Sequence, residues 1–262
     1  MEVENLYPVI SALRSVKSPE EIEKMREAIH ITNEGIMKML ENFRPGMKEC
    51  ELEAWYDFTL TSRKVPTSFH TIAAGGKRAT VLHYGANNQV VNDGEMILFD
   101  LGVAVDNWCS DISRTFPING KYSEKQRQIY DIVLRTQKKV EKSARPGLTL
   151  LDLQRIVMDS YQEELYAIGL IKEKTDEAVR NYYWHSVSHS LGLDTHDVGL
   201  ERNTPLRAGM VITNEPGLYI EQWGIGVRIE DDLLITEDGA ENLSKEIIKD
   251  PDEIEAFLQK RR

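Results

Sequence analysis

Two stretches of this chain repeat one another, and the repeat limits what the chain can fold into. Residues 88–111, NQVVNDGEMILFDLGVAVDNWCSD, and residues 203–230, NTPLRAGMVITNEPGLYIEQWGIGVRIE, follow one plan. In each, an Asn precedes a Gly by six residues: Asn88 before Gly94 and Asn203 before Gly209. A Met-aliphatic-aliphatic run comes next, and six residues past the Gly stands the acid of an acid-x-Gly triplet, Asp100-Leu101-Gly102 or Glu215-Pro216-Gly217. Each copy then runs through apolar alternation to a second acid, Asp111 or Glu230. The 115-residue offset of the first acids also holds for the Asn and Gly positions. This is an internal repeat, and it implies two related halves.

If each half brings its two acids to a shared centre, four carboxylates meet. Inside a fold they repel one another and take up protons unless cations compensate them. Two divalent ions would cancel four such charges. Any one of these acids alone reads as a solvated residue at a strand end. Four at matched positions, each in or ending an apolar run (MILFD, VITNE, VRIE), read as a metal site.

The helices repeat as well. Ser18-Pro19-Glu20-Glu21 is a capping box with proline at the first helical position. Ile22, Met25, Ile29, Ile36 and Leu40 follow at helical spacing and carry that helix to about Asn42, with Thr32 the one polar residue in the stripe. Arg44-Pro45-Gly46 breaks it, and a second helix runs from Glu49 to about Leu60. In the second half Ser123 with Gln126 caps a helix through Lys142, Arg145-Pro146-Gly147 breaks it, and Thr149 with Asp152 caps another to about Ile168. Strands are expected at Thr71–Ala74, Thr80–His83, Met96–Val105, Cys109–Pro117, Tyr183–Ser188, Met210–Asn214, Gly217–Glu221 and Gly226–Leu234. Helix pairs before strands, twice over, predict an α+β fold with helices covering one face of a mostly antiparallel sheet. The halves, about 18–120 and 121–250, should form one domain over 1–262 with the site between them.

Composition narrows the class. A length of 262 residues at 41% hydrophobic content supports a proper core. The apolar runs are too short to span a membrane, and the opening MEVENLYPVISALRSVKSPEE shows no signal peptide. Cys50 and Cys109 are isolated and read as small buried hydrophobes, so a reduced, cytoplasmic protein is expected. A net charge of −11 argues against nucleic acid or an anionic membrane as the main partner.

Four of the six histidines fall where they could reach the acids. His185 and His189 lie in YYWHSVSHSLGLDTHDVG; on a helix they would share a face, but the motif lacks the glutamate of HExxH. Tyr183, Trp184 and Val187 are strand-like, which puts His185 and His189 on one strand face instead. Gly192 and Gly199 bracket a loop presenting His196 and Asp197. His83 ends the apolar run TVLH. With four acids, these histidines read as one imidazole ligand plus catalytic or supporting partners. His30 is left to the first helix, and His70 is ambiguous.

The segments LFDLGVAVDNWCSDISRTFPINGKYS, HSVSHSLGLDTHDVG, NEPGLYI and GVRIEDDLLIT resemble the metal-binding motifs of the pita-bread metallopeptidases. These include methionine aminopeptidase, aminopeptidase P, prolidase and creatinase. The wording SHSLGLDTHDVG is most similar to the aminopeptidase P branch, and the likeness runs from about Leu13 to Leu258. It implies the pita-bread fold, internally duplicated with a curved sheet. It also implies a dinuclear site of Asp100, Asp111, His189, Glu215 and Glu230, with Asp111 and Glu230 bridging, Asp100 on one ion, and His189 and Glu215 on the other. His83, His185, His196 and Arg228 match positions that hold substrate or stabilise the tetrahedral intermediate. Two departures stand out. The amino-terminal domain of aminopeptidase P and prolidase is absent here, which puts the contacts of a homo-oligomer in doubt, and Ser113 stands where Thr is usual.

The implied activity is removal of an N-terminal residue from a peptide with proline second, by a metal-bridging hydroxide. Four carboxylates and one imidazole favour a hard or borderline divalent ion, with Mn first and Co or Zn possible. Glu215 is the candidate general base, and His196 with His83 would meet the developing oxyanion or the proline-side carbonyl. Arg228 would orient Glu230. Trp184 and Tyr219 could wall the pocket, though core aromatics fit them better. The alternatives are an Xaa-Pro dipeptidase of the prolidase kind and a metal-free interaction module on the same fold.

Overall fold

Local sequence signals set the helices. The structure, a computed structural model, describes residues 5–198 and 201–260. Helix α1 spans Tyr7–Ser15, α2 Pro19–Leu40, α3 Glu49–Arg63, α4 Glu124–Ser143, α5 Leu150–Ala167, α6 Asp176–Arg180 and α7 Pro251–Lys260. All three capping boxes form. Ser18 accepts from the Glu21 amide while Glu21 accepts from that of Ser18, and the Ser123/Gln126 and Thr149/Asp152 pairs do the same. Each such cap contributes about 0.5–2 kcal/mol. The breakers behave alike in the two halves: Gly46 and Gly147 each sit at φ +88°, a left-handed turn that a side chain would strain.

The apolar stripe of α2 faces inward. Met25, Ile29, Ile36 and Leu40 are fully buried, and α2 packs along α3. Thr32, the polar residue in that stripe, is buried too, its hydroxyl 2.8 Å from Ser110 Oγ. In the second half α4 buries Ile129, Tyr130, Val133 and Val140 beside α5.

The strands are β1 Ile72–Gly75, β2 Met96–Leu101, β3 Ala104–Val105, β4 Trp108–Cys109, β5 Ile112–Pro117, β6 Val211–Asn214, β7 Gly217–Ile220, β8 Ile225–Arg228, β9 Asp231–Ile235 and β10 Ala240–Asn242. Every pairing among them is antiparallel: β1-β2-β5 and β10-β9-β6 as three-stranded sheets, β3-β4 and β7-β8 as hairpins. The architecture is therefore the expected α+β type. The sheets meet along a seam where β5 runs beside the turn from β8 to β9. There the Glu230 amide donates to the Ser113 carbonyl at 3.0 Å, and Thr115 Oγ1 both accepts from the Arg228 amide and donates to its carbonyl.

Several strands expected from sequence differ. Thr80–His83 is no strand, because residues 76–80 close a tight helical turn whose Thr80 hydroxyl bonds the Lys77 carbonyl. Tyr183–Ser188 is irregular. It meets β6 through one set of backbone bonds, the Thr213 and Glu215 amides donating to the His189 and Val187 carbonyls, while the Val187 amide goes to Gln154 Oε1 and the His189 amide, just past the segment, to Thr213 Oγ1. The long runs through Met96–Val105 and Gly226–Leu234 each break in two, at Gly102 and at Glu230. Helices α1, α6 and α7 and strand β10 had no sequence expectation. Cys109 is buried as expected, whereas Cys50, in the first turn of α3, is exposed; both thiols are free.

Candidate metal centre

Strand breaks place three of the four acids. Asp100 lies in β2, opposite Ser113 of β5. Asp111 sits in the gap between β4 and β5, Glu215 just past β6, and Glu230 in the turn from β8 to β9. The extended chain ends at Asp111, Glu215 and Glu230, while Asp100 stays in the ladder between Ile72 and Ser113; all four face a common space. His189 comes from the irregular segment alongside β6.

All five residues line one cleft of ≈ 410 Å³, together with His83, His185, His196 and Arg228. Within it Asp111, His189 and Glu230 are the tightest group, each offering a ligand atom within 4.8 Å of the others. Glu215 joins from the side, its Oε1 3.5 Å from His189 Nε2, while Asp111 Oδ2 stands 3.4 Å from the same nitrogen. Asp100 is turned partly away: Oδ2 accepts from Arg228 at 2.6 Å, leaving Oδ1 buried without a partner.

The hydrogen bonds fix the protonation logic. His189 Nδ1 lies 3.0 Å from the Ser190 carbonyl, which can only accept, so Nδ1 carries the proton. Nε2 then faces two carboxylates and needs positive charge, either its own second proton or a cation. Burial alone would depress His189, but the Asp111 hydrogen bond and the Glu215 and Asp111 charges push it up to about 10. Burial also drives the acids upward. Glu215 rises to about 7, with the Asp111 and Asp100 charges adding to the effect and His189 and Arg228 opposing it. Asp111 is raised by burial and by Glu230, and Glu230 by burial and by Glu215. Three crowded acids, an imidazole Nε2 aimed at two of them and an orphaned Asp100 oxygen are the signature of a site built for cations. The donor set, oxygen and imidazole without thiolate, fits hard or borderline divalent ions.

The histidines divide. Burial, then the Arg228 charge, holds His185 down to about 3, so it is neutral. Its Nδ1 donates to the Ser186 carbonyl at 2.7 Å, so Nε2 accepts from the Tyr219 hydroxyl at 2.8 Å. Both nitrogens are thus engaged by protein, unlike the substrate contact expected from sequence. His83 and His196 instead stand at the exposed side of the cleft. His196 lies edge-on to His189, ring centres 4.3 Å apart, and is pushed down by burial and by the His189 charge. His70 borders an adjoining hollow shared with His83 and His196, whereas His30 lies on the outer surface beside Glu246. Tyr219 is buried, but Trp184 is 44% exposed and leans against it with rings tilted 40°, so it is not a core aromatic. Gly199 lies outside the described residues.

Arg228 does more than face Glu230. It donates to Asp100, to the Tyr219 hydroxyl at 3.0 Å and to Ser113 Oγ at 2.7 Å, and that hydroxyl donates on to Glu230 Oε2 at 2.6 Å. Sequence reading missed Ser113 as part of the site, although it stands two residues beyond Asp111, where strand alternation would return to the same face. Also missed were Thr213, which donates to Glu215, and Asp232, whose Oδ2 accepts from the Asp111 amide.

Known proteins resemble this arrangement. The model of metallopeptidase family M24 matches residues 23–237. The Xaa-Pro aminopeptidase of Escherichia coli K12 is 41% identical over 96% of this chain and 61% of its own. The Xaa-Pro dipeptidase of Pyrococcus furiosus is 36% identical over 93% of this chain and 67% of its own. A solved structure of zinc-substituted Escherichia coli aminopeptidase P in complex with product superposes with a TM-score of 0.94 at 39% identity, covering 98% of this chain and 62% of its own. The chain thus spans about three-fifths of the length of these Escherichia coli aminopeptidases.

Proposed function

The chain belongs to metallopeptidase family M24, and on that premise we propose that it is the catalytic part of an Xaa-Pro aminopeptidase, hydrolysing the bond between an N-terminal residue and a following proline. The observation that carries this reading is the convergence of Asp111, His189 and Glu230 in a cleft also lined by Asp100 and Glu215. In this reading those five residues hold two divalent ions, manganese being the first candidate and cobalt or zinc the alternatives. Such ions, when bound, supply Lewis acidity and bring the pKa of water toward neutrality.

The chain's own groups do the rest. Glu215 holds a proton at one carboxylate oxygen and passes it to the leaving nitrogen. Its Oε1 accepts from Thr213, which leaves Oε2 as the shuttling atom. His196 and His83, on the open side of the cleft, donate to the substrate carbonyl as negative charge builds there. Arg228 holds Asp100 directly and Glu230 through Ser113, so one buried cation keeps two carboxylates facing inward. His185, closed off by Ser186 and Tyr219, shapes the wall.

A dipeptidase is the second reading, favoured by the likeness to the Pyrococcus furiosus enzyme. The test offers Xaa-Pro-Xaa tripeptide and Xaa-Pro dipeptide to manganese-loaded wild type and Glu215→Ala, with bound metal measured. Tripeptide cleavage by wild type, lost in the variant, supports the aminopeptidase. Dipeptide as the better substrate transfers the assignment to the second reading, and full activity in Glu215→Ala overturns the mechanism.

A further inference from the structure

His196 is held by something other than its own ring. Neither of its nitrogens makes a hydrogen bond to the described residues, and its ring meets that of His189 edge-on. Its position must therefore come from the backbone beside it, and Asp197 is the residue that anchors that backbone. The Asp197 amide donates to the Ser190 carbonyl at 3.0 Å, and Oδ1 accepts from the Val198 amide at 2.8 Å.

The Asp197 carboxylate is almost fully enclosed, its side chain 1% exposed, and two cations from the far N-terminal segment close on it. Arg14, at the end of α1, bonds Asp197 Oδ1 and reaches Asp194 of the same loop at 2.7 Å. Lys17, between α1 and α2 and equally enclosed, stands 3.6 Å from Oδ2, an oxygen with no hydrogen bond of its own. Those cations are themselves fixed to the sheet. The Lys17 amide donates to the Gly209 carbonyl at 2.8 Å, and Val16 bridges Met210 at the start of β6. The packing leaves no slack: a Cβ on Gly192 would collide with Asp197 Oδ2 and come within 3.0 Å of Lys17 Cε.

Burying the Asp197 and Lys17 charges together is a poor way to gain stability, because desolvation consumes most of the attraction. What such an arrangement does supply is a single geometry. We infer that Asp197 is the positioning residue of His196, its carboxylate clamped by Arg14 and Lys17 so that the imidazole stands over the cleft. The inference rests on the role given to His196 above and adds the group through which that role is set.

The test compares Asp197→Asn, His196→Ala, their double variant, Arg14→Ala and Arg14→Lys, each manganese-loaded for kinetics and metal-free for proton NMR of the His196 ring. The ring signal is identified by its loss in His196→Ala. Asp197→Asn is expected to lower kcat about 10- to 100-fold with KM little changed, the scale of a misplaced catalytic group. In the His196→Ala background the same change should cost nothing further, and the His196 signal should move in Asp197→Asn and in Arg14→Ala but return in Arg14→Lys. Independent, multiplying losses in the double variant overturn the inference, as does an unmoved ring signal. If Asp197→Asn does not fold, Arg14→Ala decides, because its side chain is 25% exposed and the Lys17–Asp197 pair survives. If wild type cleaves no Xaa-Pro peptide, the functional reading falls while the ring signal still judges the clamp.

Discussion

Replacing Ser113 by alanine removes one oxygen atom and should loosen the whole centre. That hydroxyl is fully buried and makes two short bonds, 2.6 Å to Glu230 and 2.7 Å from Arg228, both with charged partners. Bonds of this kind are worth about 1.5–3 kcal/mol each, and an unpaired buried donor costs about 1–3 kcal/mol. The variant should thus lose about 2–4 kcal/mol of folding stability, since the Arg228 Nε–H keeps no acceptor and only one loss counts in full. For metal binding the relevant loss is orientation of Glu230, and removing such a supporting partner lowers affinity about 10- to 100-fold. Competition with a graded chelator, read by bound manganese at fixed pH, measures that directly. Ser113→Thr keeps the hydroxyl and should bind like wild type, paying only for one methyl group in a tight strand. Wild-type affinity in Ser113→Ala, or equal weakening in Ser113→Thr, would refute the argument that the oxygen is what matters.

Three further outcomes are expected. Metal-free protein should lose stability as pH rises from 4.5 to about 7: Glu215 has its folded pKa raised, so the folded state binds the extra proton across that window and stability falls as the proton leaves. Asp111 and Glu230 push the same way, and thermal melts in chelator against melts in manganese should show the decline only in the former. Arg114→Lys should destabilise by about 3–5 kcal/mol in urea unfolding, because the buried guanidinium serves Asp231 and the carbonyls of Ser113, Glu230, Ile247 and Ile248 at once. Tyr219→Phe leaves Arg228 Nη1 and His185 Nε2 without their shared hydroxyl and should lower kcat about tenfold with metal content unchanged, as read by paired kinetic and metal assays.

What could be read from the letters was what a short window contains. The capping boxes Ser18/Glu21, Ser123/Gln126 and Thr149/Asp152 span three residues each, and all form. The repeated acids announced themselves through spacing, and they do share a cleft with His189. Failures came where a tertiary partner displaced a local preference. Tyr183–Ser188 has strand composition, yet the side chain of Gln154, 33 residues away, captures its Val187 amide. Ser113 shows in the letters only as a serine where threonine is usual, because its importance depends on residues 228 and 230, brought beside it only at the seam between the sheets.

The run Glu230-Asp231-Asp232 makes the limit concrete. Composition offers three equivalent acids, but the fold gives each a different task. Glu230 turns into the cleft. Asp231 turns the other way, where Arg114 and Lys249 hold its carboxyl well below the usual range despite complete burial. Asp232, level with Thr213 in the β6–β9 ladder, accepts the Asp111 amide and is raised by burial and by the Asp111 charge. Successive residues of an extended chain point to opposite sides, so alternation alone would group Glu230 with Asp232 and separate Asp231. That grouping is correct as far as it goes, since both serve the site. Which of the two faces the cations and which backs Asp111 depends on the break in the strand at Glu230, and that break exists because its amide is taken by Ser113 from the other half. A duplicated chain can thus advertise its ligands in each copy, while the assignment of work among neighbouring acids is made only when the copies meet.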